Sequence, residues 1–347
     1  MQPPKSEPSK KFGRRRFVRD GLATVIGLAI GETVFELIDH FFGQKIALVS
    51  EYYSFIHPDK DIRSYDFTTT PASYSEINIE GIAQIGIGDS IQAGYVYHSP
   101  VFYSSTQYVT NAVNQHLRLG WTYKNYAKVG ATTYDLNGQI DAMDQDHKSA
   151  ANQIDISLSV GGDDLLKFVG SDQNITALRS ILSANPSSDQ VTQYIKSIEG
   201  AIDAYESRFY EILRRLQVLN QDRNYAIERI FVQSLPNLGL AEYIDIPTSS
   251  GYFRLPIKGN QRMEEIASAI SERLNLAMAK AIQKAGYQSP IQIRLVDNYH
   301  TLTASNLTGI HPNQGGYTQM AENRLNLSES SFDGQVETLW QAIENNL

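Results

Sequence analysis

The stretch Ile85-Gly-Ile-Gly-Asp-Ser-Ile-Gln-Ala-Gly94 places a serine directly after a short β-branched apolar run. Such a run, interrupted and closed by glycine, predicts a buried strand that ends in a tight turn. A serine at that point lies at the carboxyl edge of a sheet, where an α/β fold can present a nucleophile. Ser90 is therefore the first candidate for chemistry, although Gly88-Asp-Ser90 alone also fits an ordinary strand-ending turn.

Outward from this stretch, short β-branched runs alternate with helical patterns. The alternation predicts an α/β fold with a doubly wound parallel sheet of about five strands and helices on both faces. Apolar residues that recur every three or four positions predict two long helices, Val191–Leu216 and Met263–Met278. The predicted strands are Ile82–Ile87, Trp121–Ala127, Ile154–Val160, Ile230–Val232 and Ile291–Val296.

Three further segments stand at predicted strand ends. They are Val129–Thr133, Val160–Leu165 and Gly309–Tyr317. In a doubly wound sheet the carboxyl ends of the strands meet at one crevice, so segments far apart in sequence can form one site. Their chemistry is complementary, because Ser90 can attack, a histidine can accept its proton, and glycine amides can donate to an oxyanion.

The order and spacing of these blocks resemble the SGNH family of GDSL-type serine esterases and lipases over roughly residues 81 to 325. The resemblance implies an SGNH hydrolase fold, which is a flavodoxin-like three-layer sandwich. It also implies that Ser90 is the nucleophile and that the Ser90 and Gly130 amides bind the oxyanion. Gly162 and Asp163 fall in the third block as oxyanion or substrate-binding candidates, and His311 falls in the last block as the base.

Two blocks depart from the family pattern. The third normally carries an asparagine where Asp163 stands, and an ionised carboxylate can only accept hydrogen bonds, so it repels an oxyanion. Asp163 donates only if burial raises its pKa enough to keep it protonated. The last block normally carries an aspartate three residues before the histidine, where Thr308 stands. Asp297, near the end of the last predicted strand, is the candidate substitute that orients His311.

A second histidine competes for the role of base. Asp297-Asn-Tyr-His300 has the same Asp-x-x-His spacing, but Thr301 follows it instead of a proline. His311 is followed by Pro312 and by Gly316–Tyr317, which opens a predicted helix, and the resemblance requires this pattern in the last block of the family. We therefore expect His311 to be the base and His300 to be a surface or capping residue.

The amino-acid composition limits which partners, metals and cofactors we expect. The chain has 347 residues, of which 41% are hydrophobic, enough for one large core. Beyond the first twenty residues it carries 23 bases and 36 acids, so we expect no nucleic-acid partner. The absence of cysteine excludes disulfides and thiolate sites. The sequence also has no paired metal-ligand motif, phosphate loop or dinucleotide fingerprint, so we expect no metal and no cofactor.

The N-terminus resembles a bacterial twin-arginine export signal. Gly13-Arg-Arg-Arg-Phe-Val-Arg19 precedes an apolar run, Gly21–Gly31, that is too short to span a bilayer. The expected organisation is an export signal at 1–45, an irregular lead-in at 46–76, and a hydrolase-like domain at 77–347 with a helical insertion at about 171–222. The protein would then be periplasmic or extracellular, with no stable membrane span in the mature domain. The alternatives are an uncleaved membrane anchor or a disordered basic arm.

The sequence predicts a serine ester hydrolase that acts through an acyl-enzyme on a small-molecule, lipid or glycan ester. The alternative is an SGNH-fold binding or scaffold protein with weakened catalysis, which the substitutions at Asp163 and Thr308 favour. The blocks do not define the substrate, because selectivity in such folds comes from loops.

Overall fold

The computed structural model describes most of the chain beyond its N-terminal segment. The described residues are 54–56, 58, 61–65, 80–96, 103–148, 153–181, 188–223, 225–249, 251–286 and 289–327. They fall within one compact unit, Glu51–Leu347. The predicted export signal lies outside the described residues, as does most of the predicted lead-in.

Five strands form the central sheet, and all of their pairings are parallel. They are β1 (Ala83–Gly88), β2 (Thr122–Asn125), β3 (Gln153–Ser159), β4 (Ala226–Gln233) and, after a hairpin, β7 (Gln292–Val296). Their order in space is β2-β1-β3-β4-β7, which is the flavodoxin-like order of a doubly wound sheet. The predicted fold class is confirmed.

The position of β1 explains where a site can form. Every residue of β1 is buried, as is nearly every residue of β3, because helices cover both faces of a parallel sheet. The strand order reverses between β1 and β3, which opens a crevice beyond their carboxyl ends. Asp89 directly follows β1 and Val160 directly follows β3, so both connecting segments lead into this crevice.

Helices cover both faces of the sheet. They are α1 (Ser90–Ala93), α2 (Ser105–Leu117), α3 (Leu136–His147), α4 (Gly162–Val169), α5 (Asp172–Ile181), α6 (Ser188–Asp222), α7 (Gln261–Gly286) and α8 (Gln314–Asn326). Helices α2 and α8 pack together on one side, and α3, α6 and α7 form the other layer. No helix in the described part of the chain has an apolar stretch that could cross a bilayer.

The region predicted as a helical insertion contains α5 and α6. Helix α6 spans 35 residues and carries the chain from β3 to β4. Its Tyr205 hydroxyl donates to the Val160 carbonyl at 3.0 Å, and both Tyr205 and Phe209 are fully buried. Much of this region is therefore the crossover helix of the sheet.

Two antiparallel hairpins lie outside the sequence predictions. Strands β5 (Tyr243–Thr248) and β6 (Gly251–Pro256) pair over their full length, and β5 packs beside α4. Strands β8 (Leu307–Thr308) and β9 (His311–Pro312) form a two-residue ladder that places Thr308 opposite His311. Periodicity misses such elements because the apolar residues of β5 are interrupted by an aspartate and a proline, and β8 and β9 are only two residues long.

Candidate active site

The turn that presents Ser90 depends on a glycine at the end of β1. Gly88 has φ +142°, and a Cβ there would lie 1.9 Å from the Ser159 carbonyl oxygen, so only glycine fits. The Gln139 side chain holds the same peptide from the other side. Its Oε1 accepts from the Gly88 N–H at 2.7 Å and its Nε2 donates to the Gly88 carbonyl at 2.9 Å. The end of β1 is therefore fixed, and Ser90 begins α1.

Asp89 also holds this turn in place through two hydrogen bonds. Its carboxylate Oδ1 caps α1 by accepting from the Ile91 N–H at 3.0 Å and also accepts from the Ser159 hydroxyl at 3.2 Å. Burial raises the pKa of Asp89 well above its ordinary value, and the nearby Asp163 carboxylate adds to the shift. We interpret Asp89 as a buried cap that orients the nucleophile turn.

The structure brings Ser90 and His311 together. Ser90 Oγ lies 2.8 Å from His311 Nε2, although the residues are 221 positions apart. His311 comes from β9, which follows a tight turn where Gly309 has φ +59°. A nucleophile hydrogen-bonded to an imidazole is the arrangement that serine acyl transfer requires. The two residues that the sequence placed in the first and last blocks thus form one dyad.

The environment of His311 keeps its imidazole neutral. Burial lowers the pKa of His311 to about 4, because the charged form is poorly solvated there. Among the described residues no carboxylate hydrogen-bonds to this ring, and its aromatic neighbour is Tyr95, with ring centroids 4.9 Å apart. Thr308 lies opposite His311 in the hairpin and is exposed. A neutral imidazole can accept a proton, but no carboxylate in the described part of the chain is hydrogen-bonded to the resulting imidazolium.

Asp297 does not orient His311, which corrects the sequence prediction. Its carboxylate instead lies 2.8 Å from His300 Nδ1, and His300 Nε2 lies 3.5 Å from Asp61. The reason is the strand order: Asp297 follows β7, three strands away from β1, or roughly 14 Å at the usual spacing of about 4.8 Å. Sequence proximity to the last strand therefore places Asp297 at the far edge of the sheet.

The other predicted site residues surround the dyad. Gly130, Gly162 and Asp163 line the same pocket as Ser90 and His311. Gly130 has φ +79° in a turn where a Cβ would meet open space. Gly162 is the first residue of α4, and Asp163 is the next. Gly162 and Asp163, from the third block, therefore lie in the same pocket as Ser90.

Asp163 has the electrostatic character of a carboxyl that changes charge near neutral pH. Burial raises its pKa to about 6, Lys167 opposes the shift, and Asp164 adds to it. The Asp163 carboxyl has no hydrogen-bond partner among the residues that the structure describes, so nothing fixed competes for it in the pocket. It is protonated below about pH 6 and can then donate.

A neighbouring carboxylate, Asp164, holds the turn that carries Gly130. It accepts from the Thr133 N–H at 2.9 Å and from the Thr133 hydroxyl at 2.6 Å. Arg208 on α6 completes the contact, with Nη2 at 3.3 Å from Asp164 and Nε donating to the Thr133 hydroxyl at 2.8 Å. Lys167 also donates to the Gly130 carbonyl, at 3.3 Å. These contacts were not predicted, since nothing in the local sequence pairs residues 31 to 75 positions apart.

The pocket above Ser90 has a volume of about 300 Å³, at the small end of the range for ligand sites. One wall comes from the β5–β6 hairpin through Asp245, Pro247 and Tyr252. Tyr252 stands at the mouth, with 80% of its surface exposed. The sequence does not predict these wall residues, because they belong to no recognisable chemical motif.

Comparison with known proteins gives a family match and several similar solved structures. The model of the GDSL-like lipase/acylhydrolase family matches residues 85–323. Among curated proteins, none matches the sequence significantly. Similar solved structures include the acetylxylan esterase Axe2 from Geobacillus stearothermophilus (14% identity, 72% of this chain and 95% of that chain, TM-score 0.42). They also include the lipase Lip_vut3 from a goat rumen metagenome (14% identity, 74% and 99%, TM-score 0.45).

Proposed function

Because this chain belongs to the GDSL-like lipase/acylhydrolase family, we propose that it is a serine ester hydrolase with Ser90 as nucleophile and His311 as base. The observation that carries the proposal is the 2.8 Å separation between Ser90 Oγ and His311 Nε2. The substrate class is a small-molecule, lipid or glycan ester, and the reaction needs no cofactor.

The proposed reaction has two halves. Ser90 Oγ attacks the ester carbonyl carbon while its proton moves to His311 Nε2. The oxyanion accepts from the Ser90 and Gly130 N–H groups, neither of which donates to another described residue. Collapse breaks the carbon–oxygen bond to the alcohol, which takes the proton from His311. Water, deprotonated by His311, then attacks the acyl-enzyme. The carbon–oxygen bond to Ser90 breaks, His311 returns the proton to Ser90 Oγ, and the acid leaves.

A binding or scaffold protein is the second candidate, and it is favoured because no carboxylate among the described residues hydrogen-bonds to His311. Without a counter-charge the imidazolium is costly, and Asp163 is a poor donor when ionised. Hydrolysis of p-nitrophenyl acetate together with labelling by a fluorophosphonate separates the two candidates. An ester hydrolase turns over the ester and is labelled once, on Ser90, whereas a binding protein does neither while folded.

The two histidines give a matched test of the base. We expect His311→Ala to lower kcat/KM by at least about 10³-fold, because a serine without a base is a weak nucleophile. His300→Ala should stay within about threefold of the native enzyme, since His300 pairs with Asp297 and Asp61 and does not line the pocket. The measurement is kcat/KM on one activated ester, with circular dichroism to establish folding. If kcat/KM falls further in His300→Ala than in His311→Ala, His300 is the base.

We further propose that the N-terminal segment directs export by the twin-arginine route, as its order of residues suggests. Changing Arg14 and Arg15 to Lys should block transport of a fused reporter, because the route reads the arginine pair rather than the charge. Arg16→Lys, which lies outside the pair, is the matched control. Transport that continues in the double variant would make the segment an anchor or an arm.

A further inference from the structure

A second cavity, lined by aliphatic side chains and one tyrosine, lies beside the serine pocket. It has about 40 Å³ of room for the centres of water-sized groups, enough for about three such groups. Native cores pack densely and keep few voids larger than a water molecule. This cavity is partly open and adjoins the serine pocket, so a ligand can enter it.

The two cavities share a wall. Leu166 on α4 and Leu238 line both of them. Strand β5 forms the rest of the partition, because its side chains alternate between faces. Ile244 and Ile246 face the apolar cavity, whereas Asp245 and Pro247 face the serine pocket.

The apolar cavity is poorly suited to water. A buried water needs two to four polar partners, and the lining offers a single polar side-chain group, the Tyr194 hydroxyl. Tyr194 is buried, with 4% of its surface exposed, and its hydroxyl has no hydrogen-bond partner among the described residues. The remaining lining is aliphatic and includes Ala267 and Ile270 of α7. Such a cavity stays dry and suits an alkyl chain.

We propose that the acyl chain of the ester substrate passes between Leu166 and Leu238 into this apolar cavity, so that the enzyme selects medium-length acyl groups over acetyl. The inference rests on the proposed function, since the chain is the one that Ser90 carries in the acyl-enzyme. The carbonyl carbon stays at Ser90 in the polar pocket, and the alkyl end enters the cavity behind β5. The cavity has room for about three carbon-sized groups. With the first three carbons of the acyl group in the serine pocket, the limit lies near six carbons.

The first test is a chain-length series of p-nitrophenyl esters on the native protein. Each methylene that leaves water should raise kcat/KM by about fourfold. Hexanoate has four methylenes more than acetate, so its kcat/KM should exceed that of acetate on the order of 250-fold. Decanoate should fall below hexanoate, because the cavity is then full. A flat series, with turnover that still depends on Ser90, would overturn the inference and leave the proposed function standing. A series with no turnover on any ester removes both.

The second test fills the cavity. Ala267→Leu replaces a methyl group with an isobutyl group inside it, so the hexanoate-to-acetate ratio should fall at least tenfold. Ala281→Leu is the matched control, because Ala281 is fully buried on the same helix and lines neither cavity. The control should lose thermal stability through overpacking but keep the ratio. An unchanged ratio in folded Ala267→Leu, or an equal fall in both variants, would contradict the inference.

Enlarging the cavity gives an independent result if the filled variant fails to fold. Ile270→Ala removes side-chain volume from the lining, so the preferred ester should move from hexanoate to octanoate or decanoate. An optimum that stays at hexanoate in the folded variant would show that the chain does not reach this cavity.

Discussion

Replacing Ser90 with alanine is expected to abolish ester hydrolysis, with kcat falling by about 10⁴- to 10⁶-fold. The loss is large because Ser90 Oγ is the atom that forms the acyl-enzyme, and the remaining pocket can only bind and polarise the ester. Labelling by a fluorophosphonate should disappear as well. The measurements are single-ester kinetics and the mass of the labelled protein.

Folding must be separated from chemistry in this experiment. Ser90 is nearly buried, and its loss removes one hydrogen bond to His311, so stability should change by only about 1 kcal/mol. Ser105→Ala is the matched control, since Ser105 is equally buried but does not line the pocket. A folded Ser90→Ala protein with native turnover would remove Ser90 from the mechanism.

The second large effect is a gain of activity when Asp163 is replaced by asparagine. The native enzyme should work best between about pH 4 and 6: His311, with a pKa of about 4, must be neutral to accept the proton. Asp163, with a pKa of about 6, must be protonated to donate to the oxyanion. Activity therefore rises as pH passes 4 and falls as pH passes 6.

Asp163→Asn supplies a permanent amide donor, so the fall above pH 6 should vanish. A carboxyl with this pKa is about 1% protonated at pH 8, so the variant should exceed the native enzyme by about 100-fold there and by little at pH 5. The measurement is kcat/KM on one activated ester from about pH 4.5 to 9.

Asp163→Ala separates the two effects of the asparagine, which are the removal of the negative charge and the addition of an amide donor. It removes the negative charge without adding a donor, so its rate should be independent of pH above 6 and about 100- to 1000-fold below that of Asp163→Asn. If Asp163→Asn is instead slower than the native enzyme at every pH, the carboxylate has a positive role, and the view of Asp163 as a damaged oxyanion donor is wrong.

The local sequence was enough to predict the fold class and to identify Ser90 and His311 as candidate site residues. The run that ends at Gly88 identifies β1 because β-branched residues between glycines favour a buried strand, and the same logic located the other four strands of the sheet. Ser90 and His311 were predicted as nucleophile and base because each stands in a short motif that resembles a block of the SGNH family. Their meeting followed from the doubly wound topology, which gathers strand ends at one crevice.

Tertiary structure decided the partners of the polar groups and the shape of the pocket. Asp297 has the right chemistry to orient a histidine, yet it pairs with His300 because β7 lies at the far edge of the sheet. The Asp164–Thr133–Arg208 contact and the β5–β6 wall likewise join segments that no periodicity links. A sequence pattern reports which face of an element is apolar and where it ends. Which two distant side chains meet depends on strand order and helix packing, and these are set by the whole chain at once.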